Sequence, residues 1–413
     1  MLRHNWVDDP GYTRPTSDGL YPHQWNWDSA FASLGWATID PARAYRELRS
    51  LVGAQGRDGC IPHIAFSPVP QFYFPSADWW PAATSRDGRR ISAISQPPVA
   101  ATCLRLLFDR APDEAQARQL LAPLERWHTW WLNERDPERT GEPVVIHPWE
   151  SGRDNAPDWD APMNRLPELD VAALRQDTRW VGIDHRPSHR DYARYAWLVR
   201  QIGKAEQRGL ARYGPFRVLD PGTSSILAAA CADLAHLADE LQEPRIAELS
   251  RIQAEKVERA LQHRADADGL APAVDLVTGE RAQPRGAGVA LNLLRAQLPA
   301  HALDALERLT THDADELAAP TGVRSWPRSD ATAYRPDSYW RGPTWASITW
   351  LCALGLERHG RTDAAHTLRT RMLDAVAHAG EREYCDGDTG EGLGTRNFTW
   401  TAALALWSVP GHA

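Results

Sequence analysis

Ser225-Ile226-Leu227-Ala228-Ala229-Ala230-Cys231-Ala232-Asp233-Leu234-Ala235-His236-Leu237 decides how the chain folds. Its apolar residues recur three and four positions apart, the period of a helix, and its alanines let neighbouring helices approach closely. The same period returns over 28–37, 41–55, 97–110, 114–135, 189–207, 223–240, 244–264, 287–299, 301–310, 343–359, 362–379 and 398–408. Asp40-Pro41 puts an N-cap carboxylate before a helix-opening proline, and Gly342-Pro343 reads as a second opening. Alternation of period two is scarce, so an all-α chain is expected.

About a dozen helices suit either a helical toroid or an α-solenoid. No repeat of 30–50 residues is visible, which favours an (α/α)6 barrel. No Gly/Ser linker or change of composition divides residues 1–413, so one domain is expected. The connections 56–96, 136–188, 311–342 and 380–397 are too long for turns, and loops of that length in a compact domain usually carry function. The helices do not alternate cleanly with these loops, so at least one boundary is expected to differ.

Composition excludes several functions. Lys+Arg 46 against Asp+Glu 54 gives a net charge of −8 with no basic block, unlike a nucleic-acid-binding protein. The longest uncharged apolar stretch, Thr344 to Leu356, is too short to span a bilayer. Met1-Leu2-Arg3-His4-Asn5-Trp6 lacks the apolar run of a signal peptide. The five cysteines are odd in number and far apart, which points to reduced thiols in a cytoplasm. The 15 His are scattered and no HExxH occurs, so no metal is expected. The glycine loop at 390–394 reads GxGxG, not GxGxxG, and no phosphate loop is present, so no nucleotide cofactor is expected. The expected partner is a small-molecule glycoside, with a homo-oligomer left open.

Tryptophan stands out: 19 Trp exceed 7 Phe and 10 Tyr together. Indole fills a helical core, but it is also the surface on which a sugar stacks while its hydroxyls seek polar partners. Position decides between these readings. Tyr21-Pro22-His23-Gln24-Trp25-Asn26-Trp27-Asp28 puts two indoles, a phenol and a carboxylate within eight residues. His147-Pro148-Trp149-Glu150-Ser151-Gly152-Arg153-Asp154-Asn155 sets two carboxylates and an indole around a glycine. Tyr339-Trp340-Arg341-Gly342-Pro343-Thr344-Trp345 offers aromatic faces and a guanidinium able to grip a carboxylate in a fork. Glu383-Tyr384-Cys385-Asp386 runs through the glycine loop to Phe398-Thr399-Trp400-Thr401. Carboxylates from two remote loops, beside indole, suit glycoside hydrolysis, which asks for an acid and a second carboxylate.

WNWDSAF (25–31), DGCIPHI (58–64), SQPPV (95–99), WESGRDN (149–155), YWRGPTW (339–345) and EYCDGDTGEGLGTRNFTWTAAL (383–404) together resemble family 63 glycoside hydrolases, and within them the bacterial glucosylglycerate and mannosylglycerate hydrolase branch. The resemblance implies an (α/α)6 barrel and an inverting hydrolysis of an α-glucosyl or α-mannosyl linkage. It makes Asp154 the general acid and Glu383 the general base, with carboxyl groups about 6.5–9.5 Å apart. It assigns the sugar pocket to Tyr21, Trp25, Trp27, Asp28, His63, Gln96, Trp149, Gly152, Trp340 and Trp345, and the guanidinium of Arg341 is a further substrate-binding candidate from its own cluster. Arg186 and Tyr192 resemble the branch's glycerate-binding residues, with Tyr339 and Tyr73 completing that subsite. Glu150 and Glu391 are weaker candidates that could equally hold their loops in shape. Cys385-Asp386-Gly387 departs from the family's aromatic-Asn-Pro, and an early helix usual in the family is expected to be missing or short. A neutral α-glucosidase or trehalase-like hydrolase, a sugar epimerase using His63 and His147, and a non-catalytic sugar-binding protein are the alternatives.

Overall fold

Twelve main helical segments follow one another along the chain. They are α1 (Asn26–Ile39), α2 (Pro41–Gly53), α3 (Ala100–Arg110), α4 (Glu114–Glu134), α5 (His189–Ile202) and α6 (Pro221–Glu240). After them come α7 (Pro244–Arg264), α8 (Ala287–Ala290, continued by a 3-10 turn over Leu291–Leu294), α9 (Ala300–Thr311), α10 (Ala346–Arg358), α11 (Thr362–Ala379) and α12 (Thr399–Ser408). This computed structural model describes residues 1–67, 72–204, 207–283, 285–314 and 316–409.

Two sequence patterns give two kinds of helix. In α1 every residue from Asn26 to Ala37 is buried, and α6, α10 and α12 bury runs of similar character. A helix that is apolar or small on all sides must be covered on all sides. By contrast, α7 buries Ala247, Ser250, Ala254, Val257 and Leu261, one stripe at spacings of three and four. The covered helices touch in a circuit: α1 packs on α3, α3 on α6, α6 on α8, α8 on α10, α10 on α12, and α12 back on α1. The striped helices α2, α4, α7, α9 and α11 each follow a circuit helix in the chain and pack outside it. The short turn Leu2–Asn5 lies against α12 and α1.

Several boundaries differ from the sequence reading, three of them instructively. The segment expected as helix 287–299 ends at Leu294, because Arg295 turns extended and its guanidinium is held by Glu258 and the Gly269 carbonyl. Gly342-Pro343 does not open a helix: Thr344 bridges Arg324 and Cys385, and α10 starts at Ala346. The segment expected as helix 189–207 ends at Ile202, and it lies outside the circuit; Ala205 and Glu206 lie outside the described residues. That misplaced helix explains the imperfect alternation with the loops.

The β structure consists of two-residue strands that tie loop bases together. Gln24–Trp25 pairs with Ile64–Ala65, and Tyr384–Cys385 with Gly392–Leu393. All five cysteines are free. No helix among the described residues is long and apolar enough to cross a membrane.

Candidate active site

The loop bearing Asp154 is fixed before it reaches the cavity. A 3-10 turn over Pro148–Ser151 starts at His147, whose Nδ1 accepts from the Trp149 N–H at 3.1 Å. It ends at Gly152, with φ 68°. A Cβ there would lie 2.5 Å from Trp27 Cζ2, a rigid ring that cannot yield, so glycine is required on two counts. Behind the turn, Glu150 takes two hydrogen bonds from Arg135, at 2.9 and 2.7 Å, and one from the Ile146 N–H. Glu150 is fully buried in that role, so it shapes the loop. Arg153 forks between Asp158 (2.9 Å) and Asp220 (2.6 Å), and Asp220 also caps the N-terminus of α6. The Tyr195 hydroxyl donates to the Asp154 carbonyl at 2.9 Å. Asp154 is therefore presented from a braced loop.

Glu383 comes from the opposite side of the sequence, at the start of the Tyr384–Cys385 strand. Its Oε1 accepts from the Tyr21 hydroxyl at 2.7 Å and from Arg186 Nη1 at 3.4 Å; its Oε2 accepts from the Thr395 N–H at 3.1 Å. Gly394 (φ 66°) leaves room for this: a Cβ on it would lie 2.6 Å from Glu383 Oε2. The departure at 385–387 turns away from the carboxylate. Cys385 exchanges backbone hydrogen bonds with Thr344, and the Asp386 side chain accepts from the Asp388 and Thr389 N–H groups. Glu391 is exposed.

Both carboxyl groups line one cavity. Trp25, Trp27, Trp149 and Trp340 supply its aromatic walls, joined by Tyr21, Tyr73, Tyr192 and Tyr339. Asp28, His63, Gln96, Gly152 and Arg186 complete the expected set. Two expected ligands are absent from the lining. Arg341 forks onto Asp160 at 2.8 and 2.6 Å and donates to the Asn155 carbonyl, so it clamps the Asp154 loop from outside. Trp345 lies behind Trp340, stacked on it at 3.8 Å between centroids. Pro15, Phe398 and Trp400 line the cavity without having been assigned to it. The Phe398-Thr399-Trp400-Thr401 element carried the signal for two of them; Pro15 had none. Also unassigned were Asp177, which accepts from Arg186 Nε at 3.3 Å, and Arg175, which forks onto Asp177.

Burial sets the charges. Asp154 is open to the cavity yet enclosed by protein, and burial pushes its carboxyl up to about 7, with Arg186 pulling it down and Glu383 pushing it up. Burial also raises Glu383, but Arg186, the Tyr21 hydroxyl and the Thr395 N–H pull against it. Burial, then the neighbouring carboxyls Glu383 and Asp154, hold Asp28 well above the usual carboxylate range, against a hydrogen bond from its own backbone. His147, pushed down to about 3 by burial, has Nδ1 on Trp149 and Nε2 on the Tyr195 carbonyl, and is absent from the lining. That occupation removes it as an epimerase base. His63 lines the cavity and stacks on Trp149 at 5.5 Å. Among the described residues its Nδ1, like Gln96 Oε1, is buried without a hydrogen-bond partner. Among the described residues no group of three or more His, Cys, Asp or Glu could hold a metal ion.

Two carboxyl groups on the wall of one aromatic-lined cavity suit glycoside hydrolysis, and the chain is a glycoside hydrolase. It belongs to the mannosylglycerate hydrolase MGH1-like glycoside hydrolase family, whose model matches residues 21–401. The mannosylglycerate hydrolase of Thermus thermophilus is 38% identical over 94% of each chain. The glucosylglycerate hydrolase of Mycolicibacterium hassiacum is 31% identical over 98% of this chain and 95% of that one. Among solved structures, a GH63 mannosylglycerate hydrolase from Thermus thermophilus in complex with Tris and D-glycerate has a TM-score of 0.86 at 36% identity, covering 98% of this chain and 97% of its own. Neutral trehalase Nth1 from Saccharomyces cerevisiae, 15% identical with a TM-score of 0.60 over 96% of this chain and 73% of its own, shares the fold alone.

Proposed function

We propose that this enzyme hydrolyses mannosylglycerate or glucosylglycerate to hexose and glycerate, with inversion at the anomeric carbon. Asp154 gives its proton to the bridging oxygen as that bond breaks. Glu383 takes a proton from the water that attacks the opposite face. The observation that carries this reading is the pairing of Asp154, uncharged up to about pH 7, with Glu383 on the wall of one cavity. Trp25, Trp27, Trp149 and Trp340 are the stacking faces for the hexose, and Asp28, His63 and Gln96 face its hydroxyls. The unpartnered His63 Nδ1 and Gln96 Oε1 support that role, since a buried polar atom without a partner costs about 1–3 kcal/mol until a ligand meets it.

Among the described residues Arg186 is the one guanidinium in the lining, with Tyr73, Tyr192 and Tyr339 beside it. Arg186 already meets Asp177 and Glu383; a glycerate carboxylate adds an anion of the substrate to that cluster, and a neutral disaccharide does not. The frame we assign is an (α/α)6 barrel formed by residues 1–413 as one domain. The closed circuit of six helices, the outer helix that follows five of them and a main apolar core running from Leu2 to Leu404 support it. The free cysteines support a cytoplasmic setting.

Incubation with mannosylglycerate, glucosylglycerate and trehalose, with assay of free hexose, tests the substrate. Release is expected from at least one glycerate compound, and release from trehalose alone would reject the glycerate reading. Arg186→Ala is expected to lower kcat/KM more for the glycerate compound than for a neutral α-hexoside. Equal losses would leave Arg186 with no part in recognising the aglycone.

A further inference from the structure

The Tyr21 hydroxyl has no capacity left for a sugar. A phenol carries one proton and two lone pairs. A carboxylate cannot donate, so the 2.7 Å contact with Glu383 Oε1 uses the Tyr21 proton. A guanidinium cannot accept, so the 2.7 Å contact from Arg186 Nη1 uses one lone pair. The Tyr339 hydroxyl, 3.2 Å away, fills the other as donor. The ring is locked as well, edge-on to Trp25 at 5.2 Å and to Phe398 at 5.8 Å. Burial keeps the phenol protonated, pushing it well above its ordinary value.

We propose that Tyr21 is a positioning residue for the base: its hydroxyl holds Glu383 Oε1 in place and relays the charge of Arg186 to it, and it takes no hydroxyl of the substrate. The proposal rests on the assignment of Glu383 as base. Arg186 reaches Oε1 directly only at 3.4 Å, so the shorter path from cation to carboxylate runs through the phenol. A donor to the charged form of a carboxylate favours that form, so the Tyr21 hydrogen bond, like the Arg186 charge, opposes the upward push of burial on Glu383. The other charged and titratable groups acting on Glu383 or influenced by it are Asp18, Asp28, Asp154, Tyr339, Arg382 and Tyr384. None of these makes a hydrogen bond to its carboxylate oxygens among the described residues.

Tyr21→Phe keeps the packed ring and removes one oxygen. The readout is the ionisation of Glu383 in the whole enzyme, followed by pH-difference infrared spectroscopy with Glu383→Gln marking the carboxylate band. The midpoint is expected at higher pH in Tyr21→Phe than in wild type; an unmoved or lower midpoint overturns the proposal. Tyr339→Phe removes only the weaker donor to Tyr21 and is expected to move the midpoint the same way, less far; it decides the matter by the same sign if Tyr21→Phe does not fold. On whichever glycerate compound is cleaved, kcat is expected to fall about 10- to 100-fold, the range for losing one hydrogen bond to a charged group, while KM changes less than about 3-fold. A raised KM with unchanged kcat would make Tyr21 a substrate ligand and overturn the proposal. A wild-type enzyme that cleaves neither compound counts against the substrate reading, while the infrared midpoint still decides the role of Tyr21.

Discussion

Asp154 carries opposite consequences for activity and stability. With its carboxyl pushed up to about 7, the folded state keeps a proton that the unfolded chain loses near the ordinary carboxylate value. Folding is therefore penalised increasingly as pH rises from about 4 to about 7, and by a constant amount above that. Asp154→Asn removes the charge. Its Tm is expected to exceed that of the wild type at pH 8 and to match it near pH 4, while kcat falls about 10²- to 10⁴-fold. Equal Tm differences at both pH values would show that Asp154 ionises in the folded state as it does in the unfolded chain. At this scale the sequence spoke clearly where a residue type has one use in such a site. Asp154, Glu383 and the indoles of WNWD and WESG all reach the cavity. It misled at Arg341 and Trp345, because a guanidinium or an indole serves a neighbouring carboxylate or ring as well as a ligand. Asp160 and Trp340 take them, and nothing local in sequence reveals that they do.

Elements hold the site through buried ion pairs that join loops to helix ends. Arg153 links the Asp154 loop to the cap of α6, and it is buried together with Asp158 and Asp220. Replacing it strands two carboxylates, so Arg153→Leu is expected to destabilise the protein by about 3–5 kcal/mol, read from urea unfolding. A loss below about 1 kcal/mol, the range of exposed pairs, would contradict the bracing role. Helix existence was legible from the period of apolar residues; helix ends were not. Asp220-Pro221 repeats the signature of Asp40-Pro41, a capping carboxylate before a proline, and so was readable, yet the periodicity alone placed the start of α6 two residues late. The end of α8 depends on Glu258, on α7, holding Arg295, a tertiary contact without a local signal. Thr344 likewise leaves the helical pattern for a bridge to Cys385, which lies 41 residues on.

Across the whole molecule, the apolar circuit helices and the striped outer helices share one main core. The proposed single domain is expected to unfold in urea in one step, with tryptophan fluorescence and far-ultraviolet circular dichroism coincident. Separated transitions would divide the chain into two units. The helical architecture was legible because small and apolar residues at helical spacing leave a chain few alternatives. The one helix it mislaid, α5, has the same amphipathic stripe as the outer helices, so its pattern could not reveal that it stands outside the circuit. The central claim is that Asp154 and Glu383 work from opposite faces of the glycosidic bond with one water between them. Proton NMR of the hexose released in the first minutes from α-linked mannosylglycerate or glucosylglycerate tests it most directly. The β-anomer is expected first, with the α-anomer appearing only by mutarotation; the α-anomer appearing first would contradict the mechanism.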